Sequence, residues 1–527
     1  MFEGRNRIAT AQARGAARWS LALAAALLTA ACATAPRLQS APPPRATPSG
    51  DAVLASLQHG LRPSRLGAGE ALPRWSLQER MAHYNVPGVA IALLRDGEVV
   101  AARGYGLREA GTQDAVDGDT LFSVGSVSKV VTSAIALRFV ADGRLDLDRD
   151  VNAYLKSWRI PARPGIRDPH VSLRMLLSHT GGLDVHGFPD FQPDEPMPTL
   201  LQILDGTPPA KGGTVRLIHE PGSRYDYSGG GTMVAQLLLE EQAGSPLETV
   251  ARREVLDPLR MTRSTFANPL PAERGNIAKA HDEAGARVAL PRGWESFPEQ
   301  AASGLWTSAN ELGRFTGELL KSYKGRGTLL PRPIAQAMMT EVSPSMHGLG
   351  PRLHGDGATR FFHHGGDNNS YHAWIEGYLE TGDGFVILTN GDGGVNLRGE
   401  IRNALSDALG RGVNPVVRLA DVDLSDRSYD DYAGRYVRDA NIPADLSRGL
   451  VDSFEDTAFT IARSGAGFTI ALGDPAKTHA LLARAPDRFV GDDLPPNELV
   501  VHRDAHGKVR GVTIERGNAR AYYRRAD

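Results

Sequence analysis

"LFSVGSVSKVVTSAIALRFVADG", residues 121–143, carries three serines in its first third, Ser123, Ser126 and Ser128, followed by Lys129. From Val130 onward the apolar residues fall at helical intervals (Val130, Ala134, Leu137, Val140), and Asp142-Gly143 is a stop signal. A helix that starts at the serines brings residues three apart onto one face, so Ser126 is the serine beside Lys129. A serine hydroxyl becomes a nucleophile only when a base lies within hydrogen-bond reach, and Lys129 is the one base the stretch offers. The chain has eight lysines, and none of the other seven has a serine three residues before it. Two readings stand from these residues alone. In one, Ser126 and Lys129 are a nucleophile–base pair. In the other, Ser126 caps a helix and Lys129 is a solvated first-turn side chain.

Upstream, "VPGVAIALLRDGEVVAARGYG" (86–106) is a β-hairpin signal, two apolar runs about an Asp96-Gly97 turn. Gly104 and Gly106 do not make a dinucleotide loop, because Glu109 stands where the third glycine would be. Residues 150–340 read as helical segments joined by Pro- and Gly-rich loops, and strand signals return at "FFHHGG", "SYHAWIEGY" and "GFVILTNGD". Strands from both ends of one domain would then form a single antiparallel sheet, with the Ser126 helix behind it and an inserted helical lobe, an α+β arrangement.

The termini carry other signals. Arg5, Arg7, Arg14 and Arg18 precede "LALAAALLTAA", the layout of an export signal (1–31). Cys32, the chain's only cysteine, follows directly and resembles the acylated cysteine of a bacterial lipoprotein, although Thr29 stands where an aliphatic residue is usual. Residues 32–52, rich in Pro, Ala and Ser, read as lipid anchor and tether. Ala33 after the cysteine, in place of an acidic residue, points to the periplasmic side of an outer membrane. The body is expected over 53–412, a linker over 413–425, and a small antiparallel β domain over 426–527, where short alternating runs and glycine turns repeat. The composition is that of a globular protein, 41% hydrophobic and 23% charged, and the net charge of −2 with dispersed arginines gives no reason to expect a nucleic-acid partner.

Seven segments taken in order change the balance at Ser126. "LFSVGSVSK", "LRMLLSHTGGL", "PGSRYDYSGGG", "MTRSTF", "SGLWTSANELGRF", "HHGGDNNSY" and "FVILTNGD" resemble the serine β-lactamase-like family: class C β-lactamases, D-alanyl-D-alanine carboxypeptidases, family VIII esterases and D-amino-acid peptidases. The resemblance covers about residues 60 to 410. It implies Ser126 as the acylated nucleophile, Lys129 as its base, and Tyr227 as the tyrosine of the family's Y-x-N motif. It further implies His364-Gly365-Gly366 as an H-x-G form of the K-T-G motif, with the backbone amides of Ser126 and Asp367 as the oxyanion hole. No cofactor is implied.

Two positions depart from the family pattern. Gly229 replaces the asparagine of Y-x-N, which removes an amide that could orient Lys129 or grip a substrate amide. His364 replaces a lysine, so a hydrogen bond from a neutral imidazole stands in place of a fixed charge. Both favour small ester substrates over amides and lactams, with a D-amino-acid peptidase or a weak β-lactamase as alternatives. A non-catalytic envelope binding lipoprotein of the same fold is the rival that Gly229 favours. The histidines His347, His354, His363, His364 and His372 raise the possibility of zinc, but strand alternation sends neighbours to opposite faces and no H-x-x-x-H pair occurs among them. His179 reads as a loop-ordering residue and Trp306 as a packing residue.

Overall fold

The computed structural model describes residues 49–526, apart from 193, 440, 447–453, 455, 473–476, 493–497 and 517–518. The export signal, Cys32 and residues 33–48 of the expected tether lie outside the described residues. The last residues of that tether are helical instead. Helix α1 (Gly50–Ser56) begins with Ser49 Oγ accepting the amide of Ala52 and with Asp51 in its first turn, and it buries Val53 and Leu54. A cap and one apolar pair suffice to start a helix there, a signal too short to register beside the prolines.

The hairpin of β1 (Gly88–Arg95) and β2 (Glu98–Gly106) turns at Asp96 and Gly97, whose φ values of 46° and 78° are the two left-handed positions of a tight hairpin turn. Four strands from the far end of the domain complete the sheet: β3 (Arg352–His354), β4 (Phe361–Asp367), β5 (His372–Tyr378) and β6 (Gly384–Thr389). The order is β2-β1-β6-β5-β4-β3, antiparallel throughout. Pairing of β1 with β6, from Val89–Thr389 to Leu94–Gly384, joins the two ends of the domain as expected. Strand β1 reads as an unbroken apolar run because both of its faces are covered. Ala90, Ala92 and Leu94 face the main core. Val89, Ile91 and Leu93 face α1 and the helix that follows the sheet.

The main core also holds α2 (Ser128–Ala141), which is buried on every side as far as Leu137. Helices α3 (Gly229–Ala243) and α4 (Gln300–Ser303) belong to the helical insertion between the hairpin and β3, and α5 (Gly394–Ala408) covers the outer face.

The C-terminal strands form the antiparallel β domain that alternation suggests and close it on itself. Strands β7 (Gly434–Arg438), β8 (Ala458–Ser464), β9 (Gly467–Leu472), β10 (Lys477–Ala485), β11 (Arg488–Gly491), β12 (Glu498–Arg503), β13 (Val509–Arg516) and β14 (Ala519–Arg525) follow one another round a closed barrel. The seam is the pairing of β7 with β14, Tyr436 opposite Arg525. Closure leaves no free strand edge, and Tyr436, Phe459, Phe468, Phe489 and Tyr523 fill the interior. The segment read as a linker is held at both ends. Val417–Arg418 pairs in parallel with Arg65–Leu66, and Leu424 is buried in the barrel core. Truncation of Leu424 to alanine should therefore destabilise the barrel by about 2–3 kcal/mol in denaturant unfolding followed by circular dichroism. An unchanged midpoint would mean that 413–425 is a passive connection.

Candidate active site

From Thr120 to Leu137 every residue is buried except Ser126. A 3-10 turn, Gly125–Val127, leads into α2, so Ser126 stands at the mouth of the helix with Lys129 one turn further in. Lys129 Nζ lies 3.0 Å from Ser126 Oγ and donates to the carbonyl of Ala302 in α4 at 2.9 Å. The lysine is 5% exposed. Burial, and secondarily the Arg352 guanidinium, bring its pKa down to about 7. A large share of the side chain is then neutral amine near neutral pH, with a lone pair able to accept the Ser126 proton. The neighbouring serines are engaged elsewhere: Asn368 donates to Ser123 Oγ, and Ser128 Oγ accepts the Leu305 amide.

Strand β4 approaches this turn backbone to backbone. A methyl group on Gly366 would lie 1.9 Å from the Val124 carbonyl oxygen and 2.9 Å from the Ser126 nitrogen. Gly125, at φ +47°, leaves no more room: a Cβ there would lie 2.8 Å from the Asp367 nitrogen. The amides of Ser126 and Asp367 therefore occupy the facing edges of two backbones in contact, a geometry that can receive an oxyanion. The Asp367 carboxylate is tied down by His372 Nδ1 at 2.8 Å and by Arg398 at 2.7 Å. Burial works against its charge, but Arg398 and His372 outweigh it and bring the pKa to about 2.

Tyr227 precedes Ser228, whose Oγ caps α3 by accepting the Gly231 amide. Its ring lies 4.3 Å from that of His179 and 4.9 Å from that of His186, centroid to centroid. Lys129 Nζ and the Arg352 guanidinium stand 5.2 and 5.7 Å from the same ring centre, so two basic groups flank the phenol. His179 orders the lobe at this point. It holds a left-handed φ of 59°, its Nδ1 accepts the Ser228 amide, and its carbonyl accepts that of Asp226.

His364 alters the argument made from its charge. Its Nδ1 lies 2.6 Å from the Gly365 carbonyl oxygen, which can only accept, so Nδ1 carries the proton. Burial, then Arg352 and Lys129, pull its pKa to about 3, which leaves the imidazole neutral. Its buried Nε2 is then an acceptor with no partner among the described residues. It can take an N–H or O–H, but it offers no donor to a carboxylate. The fixed charge expected to be missing comes instead from Arg352 of β3. Arg352 Nε donates to His347 Nε2 at 3.0 Å, and His347 Nδ1 in turn donates to the Gly350 carbonyl. Neither residue could be placed at the serine from the sequence, because only the pairing of β3 with β4 and the bend before it bring them there. The other histidines split as alternation requires: His363 stacks on Trp374 and neighbours His354, on the face away from His364.

Gly229 opens α3. The space that a side chain would fill is occupied: a Cβ there would lie 3.0 Å from both the His186 carbonyl oxygen and the Phe188 ring. The place of the missing asparagine side chain is thus taken by a loop that closes over the start of α3. Trp306 packs against Trp294, Phe297 and Tyr371, as a core residue.

The family described as Beta-lactamase matches residues 76–409. A β-lactamase of Pseudomonas fluorescens is 25% identical over 265 residues, 50% of this chain and 66% of that protein. Esterase EstB of Burkholderia gladioli is 27% identical over 307 residues, 51% of this chain and 73% of its own. The chain spans less than two thirds of the length of the first curated relatives it matches. Among solved structures, the octameric penicillin-binding protein homologue from Pyrococcus abyssi shares the fold over 85% of this chain and 98% of its own, with a TM-score of 0.53 at 19% identity.

The contact between β4 and the serine turn can be tested at its two glycines. Gly366→Ala should lower acylation of Ser126 by about 10²–10³, the scale of one lost oxyanion donor. Gly365→Ala, whose methyl would come nearest the Trp374 ring at 3.2 Å and meets no backbone that closely, should cost far less. Equal effects in stopped-flow acylation would show that close approach at Gly366 is not what builds the site.

Proposed function

Since this chain belongs to the β-lactamase family, we propose that it is a serine hydrolase that works through an acyl-enzyme on Ser126. One observation carries the reading: a buried lysine, its pKa near 7, lies 3.0 Å from the one half-exposed residue of its segment. The Lys129 amine takes the hydroxyl proton as Ser126 Oγ attacks the substrate carbonyl. The oxyanion forms against the amides of Ser126 and Asp367, each such donor contributing about 3 kcal/mol. The proton passes by way of Tyr227 to the leaving group, and water then releases the acid and regenerates the hydroxyl. No step calls for a metal or an organic cofactor.

Carboxylester hydrolysis is the leading activity. The space at position 229 holds no amide to grip a lactam or peptide, and His364 offers only an acceptor. Arg352 favours a second reading, because its charge could hold the carboxylate of a lactam or a D-amino-acid peptide. We further propose that the protein acts in the envelope as a lipoprotein anchored through Cys32. Fractionation of wild type and Cys32→Ser tests this, with membrane association expected only for the wild type.

The activity is tested with a p-nitrophenyl ester series, a chromogenic cephalosporin and a D-Ala-D-Ala peptide, with intact-mass detection of the acyl-enzyme. Ser126→Ala should abolish both turnover and the mass adduct, and Lys129→Ala should cut acylation by about 10²–10⁴. An ester turnover unchanged in Ser126→Ala would overturn the mechanism. A cephalosporin hydrolysed faster than every ester would place the Arg352 reading first.

A further inference from the structure

We propose that the C-terminal barrel positions the catalytic base: Met346, seated in the barrel core, anchors the short hairpin that holds Arg352 against Lys129. The inference rests on the reading of Lys129 as the base.

Met346 belongs to the hydrolase body by sequence, yet it is 3% exposed and lies in the apolar cluster otherwise built from the barrel and Leu424. The residues beside it face the opposite way. His347 packs against Tyr225, His179 and His364, with ring centroids 5.6, 4.8 and 5.9 Å away. His347 and Arg352 bridge across a tight turn, and the Leu353 amide donates to the Met346 carbonyl. Leu353 itself enters the main core of the hydrolase body. The hairpin is thus gripped by one apolar core at Met346 and by another at Leu353.

The tip of the turn rests on the helix that carries the base. Gly350 sits at φ +118°, and a Cβ there would lie 2.6 Å from Ser133 Oγ. Ser133 is one turn beyond Lys129 and donates to its carbonyl. A second contact of the barrel with this strand is electrostatic: Arg516 of β13 is among the cations that, after burial, depress the pKa of His354 in β3.

Lys129 is faced by Ser126 from its own turn, by His179 and Tyr227 from the helical lobe, by His364 from β4 and by Arg352 from β3. Burial keeps His179 and His364 neutral, as it does His347 behind Arg352. Arg352 is therefore the fixed charge of this set. Its distance from Lys129 adds to burial in setting how readily the amine loses its proton, and that distance depends on Met346 through the hairpin.

The test is the pH dependence of acylation in the full chain, read with a p-nitrophenyl ester. Wild type should show an acid limb near pH 7, following Lys129. Met346→Ala should move that limb up by about half a unit to one unit, a loss of roughly three- to tenfold at about pH 6 that shrinks at about pH 9. Met346→Leu should restore the wild-type profile. In an Arg352→Gln background, Met346→Ala should shift the limb no further, because both act through one charge. Should Met346→Ala fail to fold, Met346→Val is expected to move the limb in the same direction by less. A loss equal at every pH with the limb in place, or no change at all, overturns the proposal. A wild type that shows no acid limb, or no adduct on Ser126, overturns the base assignment itself.

Discussion

An amine buried 3.0 Å from Ser126 Oγ, its pKa near 7, is the constraint around which the site is arranged. A buried ammonium without a counter-ion is costly, and the usual remedy is a carboxylate partner. That remedy would raise the lysine pKa again and spoil the base. Instead the amine has a hydroxyl and a carbonyl as hydrogen-bond partners, and the rings facing it are that of Tyr227 and those of two histidines that burial keeps neutral. Arg352 adds a like charge, which disfavours protonation further.

The architecture follows from keeping that group dry while leaving Ser126 open. Helix α2 is buried on all sides because the hairpin and the returning strands close one sheet over it and the helical lobe covers the rest. Backbones must touch where β4 meets the serine turn, so glycine is required at both 125 and 366. Asp367 is then kept in place by an ion pair with Arg398 on α5, which ties the edge of the site to the outer layer of the fold. Met346, just before β3, shares a buried apolar cluster with the barrel.

Much of this was legible where the signal is local. The hairpin was readable because Asp96-Gly97 demands one kind of turn, and the Ser126–Lys129 pair because three residues in a helical turn bring side chains together. Tyr227, His364 and Gly366 could be placed only through the resemblance, since nothing within their own segments links them to the serine. Arg352 and His347 could not be placed beside the serine for a physical reason: their approach depends on the pairing of β3 with β4 and on the bend before it. The argument from the lost charge at His364 left Arg352 out at that point, because charge at a site is summed over space and not over a motif. At Gly229 likewise the surroundings were out of reach, since the missing side chain leaves no gap beside Phe188. Closure of the barrel was out of reach because alternation reports which face is buried and says nothing of whether the first strand meets the last.

The depressed basicity of Lys129 is the claim on which the rest stands, and it can be measured without any substrate. The chain has eight lysines, so a spectrum of lysine-labelled protein is sparse, and the Lys129 signal is the one that disappears in Lys129→Ala. Titration of that signal by NMR should give a midpoint near 7 in the full-length protein. A midpoint near the ordinary lysine value of about 10.4 would mean that the amine is protonated whenever Ser126 must lose its proton, and would contradict the account.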